Sequence, residues 1–231
     1  MKYKWLNRRE NKKIILFFNG WGMDENVVKH LDVEDYDVLM FYDYNNLDTD
    51  FDFELLNIYE EKNLIAWSMG VMVATLIPPL TRHFVTPSPT RGEGIVVAIN
   101  GTLKPIDAEF GIHPRIYDLT INGFNEKGRE RFISSMFDIQ ASSSLFPLAR
   151  EINEQHTELI ALKELCDSTL TPAFTLGEGK VFYNNILISD NDKIIPTKSQ
   201  VAFWEIEPNI KGGHCPFFQF SKWSELLWTK F

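Results

Sequence analysis

Cysteine is scarce in this chain: Cys166 and Cys215 are the only two, far apart and in no CxxC spacing. That excludes a disulfide framework and a structural zinc site as organising devices, and makes a reducing compartment the natural setting. Long apolar runs are also missing, and none approaches the roughly 20 residues of a membrane span. The first residues, MKYKWLNRRENKK, carry no apolar signal core. Positive charge is in deficit, with 23 Lys and Arg against 32 Asp and Glu for a formal net charge of −9. A nucleic-acid backbone is therefore a poor partner, although a local basic patch remains compatible. No internal repeat is present. These absences together lead us to expect a soluble cytoplasmic protein without nucleic-acid or membrane partners; a monomer is the expected assembly, although no sequence feature sets it.

Packing material is abundant, with 18 Phe and 6 Trp in 231 residues, enough for the core of one sizeable α/β domain. Short apolar runs recur: Ile14 to Phe18, Val38 to Tyr42, Leu64 to Trp67, Ile95 to Ile99, Ile186 to Ile188 and Val201 to Trp204. Each suits a buried strand. Continuous rather than alternating apolar strands imply a sheet covered on both faces. Helix-compatible stretches lie between them, at Asn26 to Leu31, Phe53 to Glu61, Met69 to Pro78 and from Ser199 onward. The alternation predicts a mostly parallel sheet flanked by helices.

The rhythm breaks twice. Between about Gly111 and Cys166 the pattern turns helical and charged, which is expected of a cap inserted between two strands, or of a long helical crossover. Thr81 to Gly94, TRHFVTPSPTRGEG, reads as an exposed loop insertion.

Ser68 stands in AWSMG, between the strand candidate ending at Trp67 and the helix candidate starting at Met69. A serine on such an elbow presents its hydroxyl above the sheet, with the following N–H aimed at the same space. Gly70 fits the close approach of strand and helix, and Ala66 takes the place of the first glycine in the usual GxSxG. The alternative is a serine that merely caps the helix. A nucleophilic serine needs a base and an orienting acid. Of the five histidines, only His214, in KGGHCPF, lies in a glycine-rich turn beyond the last strand candidate. The acid candidate follows the Val181 to Ile188 strand in ISDNDKIIP: Asp192, with Asp190 as rival. The order Ser68, Asp192, His214 is that of α/β hydrolases. An oxyanion hole would combine the N–H of Met69 with one from FNGWGMD after the first core strand, where Trp21 sits between two glycines.

FNGWGMD, AWSMG, DKIIP, GGHCPF and Asn100-Gly101-Thr102 resemble the pimeloyl-acyl-carrier-protein methyl ester esterases of biotin synthesis, most nearly the short BioG form and more generally BioH. The resemblance implies an α/β-hydrolase core over 1–110 and 167–231 with a helical cap over 111–166. It implies Ser68 as nucleophile, His214 as base, Asp192 as orienting acid, and Trp21 and Met69 as oxyanion donors. The reaction implied is hydrolysis of the methyl ester of a pimeloyl chain tethered to acyl carrier protein, with no metal or cofactor. Since such carriers are acidic, docking calls for basic residues; Arg115, Lys127, Arg129 and Arg131 in the cap and Arg82 and Arg91 in the added loop are the candidates. Another carboxylesterase, thioesterase or lyase of this fold, or an inactive binding module, is the alternative.

Overall fold

The computed structural model describes residues 1–78, 80, 84, 94–137, 150–168 and 182–228. All of Thr81 to Gly94 except Phe84 and Gly94 lies outside the described residues, Arg82 and Arg91 included. Strands β2 (Lys13–Phe18), β3 (Tyr36–Tyr42), β4 (Glu61–Trp67), β5 (Val96–Ile99) and β6 (Asn185–Leu187) run parallel. Their side chains alternate between two cores. Ile14, Leu16, Phe18, Leu64 and Ala66 enter one layer; Ile15, Phe17, Ile65 and Trp67 enter the other. Burial on both faces is why these runs carry so few polar residues.

An antiparallel strand, β1 (Lys2–Asn7), pairs with β3 at the sheet edge. It is missing from the strand expectations because it does not look like the others. KYKWLN alternates, and its exposed Lys2 and Lys4 are the charges an edge strand carries against unwanted pairing. A second correction concerns Val201 to Trp204, expected as a strand and found inside a helix, Thr197–Trp204. Four apolar residues fit either period. Here Ser199, Gln200 and Phe203 form the buried side, a helical spacing. Beyond β6, the sheet continues among the described residues only as an isolated Ser189–Ile210 bridge.

The six strands are ordered β1-β3-β2-β4-β5-β6. The chain leaves β2 toward β3 on one side and returns to β4 on the other. In open α/β sheets, the crevice at the strands' C-terminal ends at such a reversal is where ligands bind. The Asn19–Gly22 loop follows β2 there, and Ser68 follows β4.

Helix α1 (Met69–Thr75) follows β4. The helices expected at Asn26 to Leu31 and Phe53 to Glu61 shorten to 3-10 turns, Glu25–Val27 and Phe53–Ile58, capped by Asp24 and Asp52. Between β5 and β6 lie α2 (Pro114–Asn122), α3 (Glu126–Ser135) and α4 (Ile152–Ser168). The buried Tyr117 hydroxyl on α2 donates to Leu159 O on α4 at 3.0 Å, and Lys163 pairs with Asp118. After β6 come α5 (Thr197–Trp204) and α6 (Trp223–Trp228). Trp223 packs edge-on against Phe17, closing the second core.

Candidate active site

Ser68 has φ 58° and ψ −125°, a left-handed backbone that a non-glycine residue adopts at a cost of about 1–3 kcal/mol. A Cβ on Gly70 would lie 2.4 Å from Phe18 O and 2.7 Å from Asn19 O, so α1 can start this close to β2 only with glycine there. Ala66 needs no such freedom. It sits inside β4, paired with Phe18 on one side and Ala98 on the other, where a methyl is accommodated.

The Ser68 side chain makes no capping hydrogen bond to α1. Its Oγ lies 2.8 Å from His214 Nε2 instead. On the far side of the ring, His214 Nδ1 lies 2.8 Å from Asp192 Oδ2. All three residues are buried. Asp192 Oδ2 also accepts from Gln200 Nε2 at 2.8 Å, and it accepts from His214 as well in the tautomer that carries the imidazole proton on Nδ1. Nε2 is then left to accept the Ser68 hydroxyl proton.

Asp192 and His214 are each held from behind. Asp192 Oδ1 accepts the N–H groups of Ile194 (2.8 Å) and Ile195 (3.1 Å), and Thr197 Oγ1 accepts the Asp192 N–H. The His214 carbonyl accepts from Trp67 Nε1 at 2.8 Å and Asn100 Nδ2 at 3.0 Å. Asn100 also bonds Ser189 through both ends of its amide, tying the end of β5 to the acid's loop. Neither Gln200 nor Asn100 stands out in the sequence as a support for the site. Their signal is geometric, since they lie 8 and 114 residues from their partners.

Asp190 lies elsewhere. It accepts from Lys211 Nζ (2.7 Å) and Gly212 N (3.0 Å). The Lys211 hydrogen bond and the Gly212 N–H hold its carboxyl below the usual carboxylate range. Cys215, beside His214, is buried, and burial pushes its thiol up to about 12, so it is no competing thiolate.

Met69 supplies the first N–H of α1, one of those without an acceptor inside the helix. Trp21 lies in the loop after β2, which ends at Phe18, and its indole N–H donates to Gln155 O at 2.8 Å. Ser68, His214, Trp21 and Met69 line one cavity of about 100 Å³, whose wall is mainly apolar, from Ile112, Ile116, Tyr117, Phe132, Met136 and Leu159, with Thr120 and Lys193 also lining it. A larger open depression of about 680 Å³ lies along Asp190, Lys211 and Phe218 and does not include Ser68.

The basic candidates divide. Arg115, Lys127 and Arg131 are exposed on α2 and α3. Arg129 is half-buried, with NH1 donating to Arg150 O (3.3 Å) and Gln155 Oε1 (3.4 Å). Among the described residues, no group of three or more His, Cys, Asp or Glu could hold a metal ion. No helix among them is long and apolar enough to cross a membrane.

A family model described as pimeloyl-ACP methyl esterase BioG matches residues 1–226. The chain belongs to the BioG family. That family removes the methyl group from pimeloyl-ACP methyl ester for biotin synthesis. The crystal structure of BioG from Haemophilus influenzae has a TM-score of 0.82 and 31% identity, covering 98% of this chain and all of that one. A Haemophilus influenzae protein described as uncharacterized is 34% identical across 94% of this chain and 95% of its own length. A Bacteroides fragilis protein named malonyl-[acyl-carrier protein] O-methyltransferase is 36% identical over 84% of this chain. This chain spans only 37% of that relative. An alpha/beta hydrolase enzyme from a Medee basin deep-sea metagenome library, at 16% identity and a TM-score of 0.55, is similar in fold alone. As a member of the BioG family, the chain is an esterase of the α/β-hydrolase fold.

Proposed function

We propose that this chain hydrolyses the methyl ester of pimeloyl-ACP with Ser68, His214 and Asp192 as its catalytic triad. The observation that carries the reading is the unbroken hydrogen-bonded line from Ser68 Oγ through the imidazole to Asp192, at the mouth of an apolar cavity. Ser68 Oγ attacks the ester carbonyl carbon as His214 Nε2 takes its proton. The oxyanion is met by the N–H groups of Met69 and Trp21. Collapse expels methanol, which leaves with the proton from His214. Water, deprotonated by the same nitrogen, then cleaves the acyl-enzyme, returning the proton to Ser68 and leaving a free carboxylate on the chain. Asp192 holds the ring and balances the imidazolium charge. No step calls for a metal or dissociable cofactor.

Segment 111–166 serves as a cap over a core of 1–110 and 167–231. Ile116 from α2, Phe132 from α3 and Leu159 from α4 line the cavity from above. Apolar walls suit a methylene chain, at roughly 0.8 kcal/mol for each methylene removed from water. The chain works as a monomer in the cytoplasm, and exposed Arg115, Lys127 and Arg131 meet the acidic carrier. The Bacteroides relative adds support: a methyltransferase acting on a carrier-bound acid makes the class of ester that this site would cleave.

The test is incubation with pimeloyl-carrier methyl ester, followed by the carrier's mass. Loss of one methylene from the intact acyl-carrier is the expected result. Release of free carrier thiol instead would mark a thioesterase, and an unchanged carrier would overturn the assignment.

A further inference from the structure

Gly22, the residue after Trp21, is held through both its N–H and its C=O by one helix from another part of the chain. Gly22 N donates to Glu158 Oε2 at 3.1 Å, and Gly22 O accepts from Gln155 Nε2 at 2.8 Å. The Trp21 indole N–H is taken by the Gln155 carbonyl. Gly22 has φ +70°, and a Cβ there would come 3.3 Å from Gln155 Nε2, so loop and helix are fitted closely to each other. Glu158 is fully buried and also accepts Tyr44 N at 2.9 Å. Its charge is met by Arg150 at 2.5 Å, which lies 3.3 Å from Asp43. A buried ion pair is weak support for stability alone, because desolvation offsets most of the attraction. Its geometric product here is a fixed orientation of the loop after β2.

We propose that α4 completes the oxyanion hole: Gln155 and Glu158 are positioning residues that hold Gly22 by its N–H and C=O and Trp21 by its indole, and so aim the Trp21 N–H at the oxyanion. This rests on the esterase reading above. It makes docking of α4 a condition for transition-state stabilisation, and not only a wall for the acyl chain.

The test compares wild type with Gln155→Met, which keeps length and loses the donor, and Glu158→Gln, which keeps shape. Each is assayed on p-nitrophenyl butyrate per titrated active site, alongside inhibition by phenylboronic acid, whose tetrahedral Ser68 adduct resembles the intermediate. The expected result is a kcat lower by about 10- to 100-fold, KM within about twofold, and phenylboronic acid binding weakened in parallel with kcat. A folded Gln155→Met with unchanged kcat and boronate affinity would overturn the proposal. If Glu158→Gln does not fold, Gln155→Met decides alone. Ser68→Ala in the same assay separates the two ideas: if it retains turnover, the esterase reading itself fails. If it is inactive while Gln155→Met is normal, only the role of α4 fails.

Discussion

The indole N–H of Trp67 donates across 2.8 Å to the backbone carbonyl of His214, so the residue before the serine holds the histidine that meets it. The rings also lie 5.4 Å apart. In the proposed triad, strand β4 therefore delivers both the nucleophile and a support for its base. Trp67→Phe removes that donor and part of a fully buried side chain. The expected outcome is a loss of about 2 kcal/mol in unfolding free energy and a kcat lower by about 10-fold. Urea unfolding and ester turnover on one preparation check both. Unchanged turnover would leave Asn100 as the sufficient anchor.

Asp192 and Asp190 should behave as opposites. Asp192→Asn is expected to lower kcat by about 10³- to 10⁴-fold, because the amide no longer fixes the productive tautomer. Asp190→Asn should leave kcat nearly intact and alter acid stability. The folded pKa of Asp190 is depressed by Lys211 and Gly212, so its contribution is present above the ordinary carboxylate pKa and lost as pH falls through the lower folded value. Melting temperature against pH should thus fall less steeply on the acid side for Asp190→Asn. A large kcat loss in that variant would reverse the assignment of the two acids.

The elbow's two small residues carry different constraints. Gly70→Ala places a methyl against backbone oxygens of Phe18 and Asn19 and should abolish activity or folding. Ala66→Gly needs no rearrangement and should cost only about 1 kcal/mol of stability, with kcat retained. Circular dichroism melts with paired turnover measurements distinguish them.

Much of this was legible in the sequence, and what was not has physical causes. Strands buried on both faces announce themselves as apolar runs, and the residues Ser68, Asp192 and His214 stand at the ends of segments that composition marks. Strand β1 escaped because an edge strand is amphipathic and charged. Val201 to Trp204 misled because four residues do not define a period. Glu158, Gln155 and Gln200 do not stand out, and Asn100 enters only as part of a motif, since a buried polar residue is interpretable only through the donors and acceptors that the fold brings to it.

Carrier docking should separate the arginines. Arg115→Glu and Arg131→Glu, on exposed helix faces, are expected to raise KM for the carrier-bound ester severalfold, with a small p-nitrophenyl ester unaffected. Arg129→Glu touches Gln155 and should impair both substrates. Weakened salt dependence in the first two variants is the accompanying sign. Equal effects on both substrates would remove the patch from the account.

The most direct measurement is turnover of pimeloyl-carrier methyl ester by wild type and Ser68→Ala, with a short p-nitrophenyl ester alongside. The account predicts rapid methanol release from the carrier ester by wild type and the loss of both activities in Ser68→Ala. Methanol release that persists in folded Ser68→Ala would contradict it.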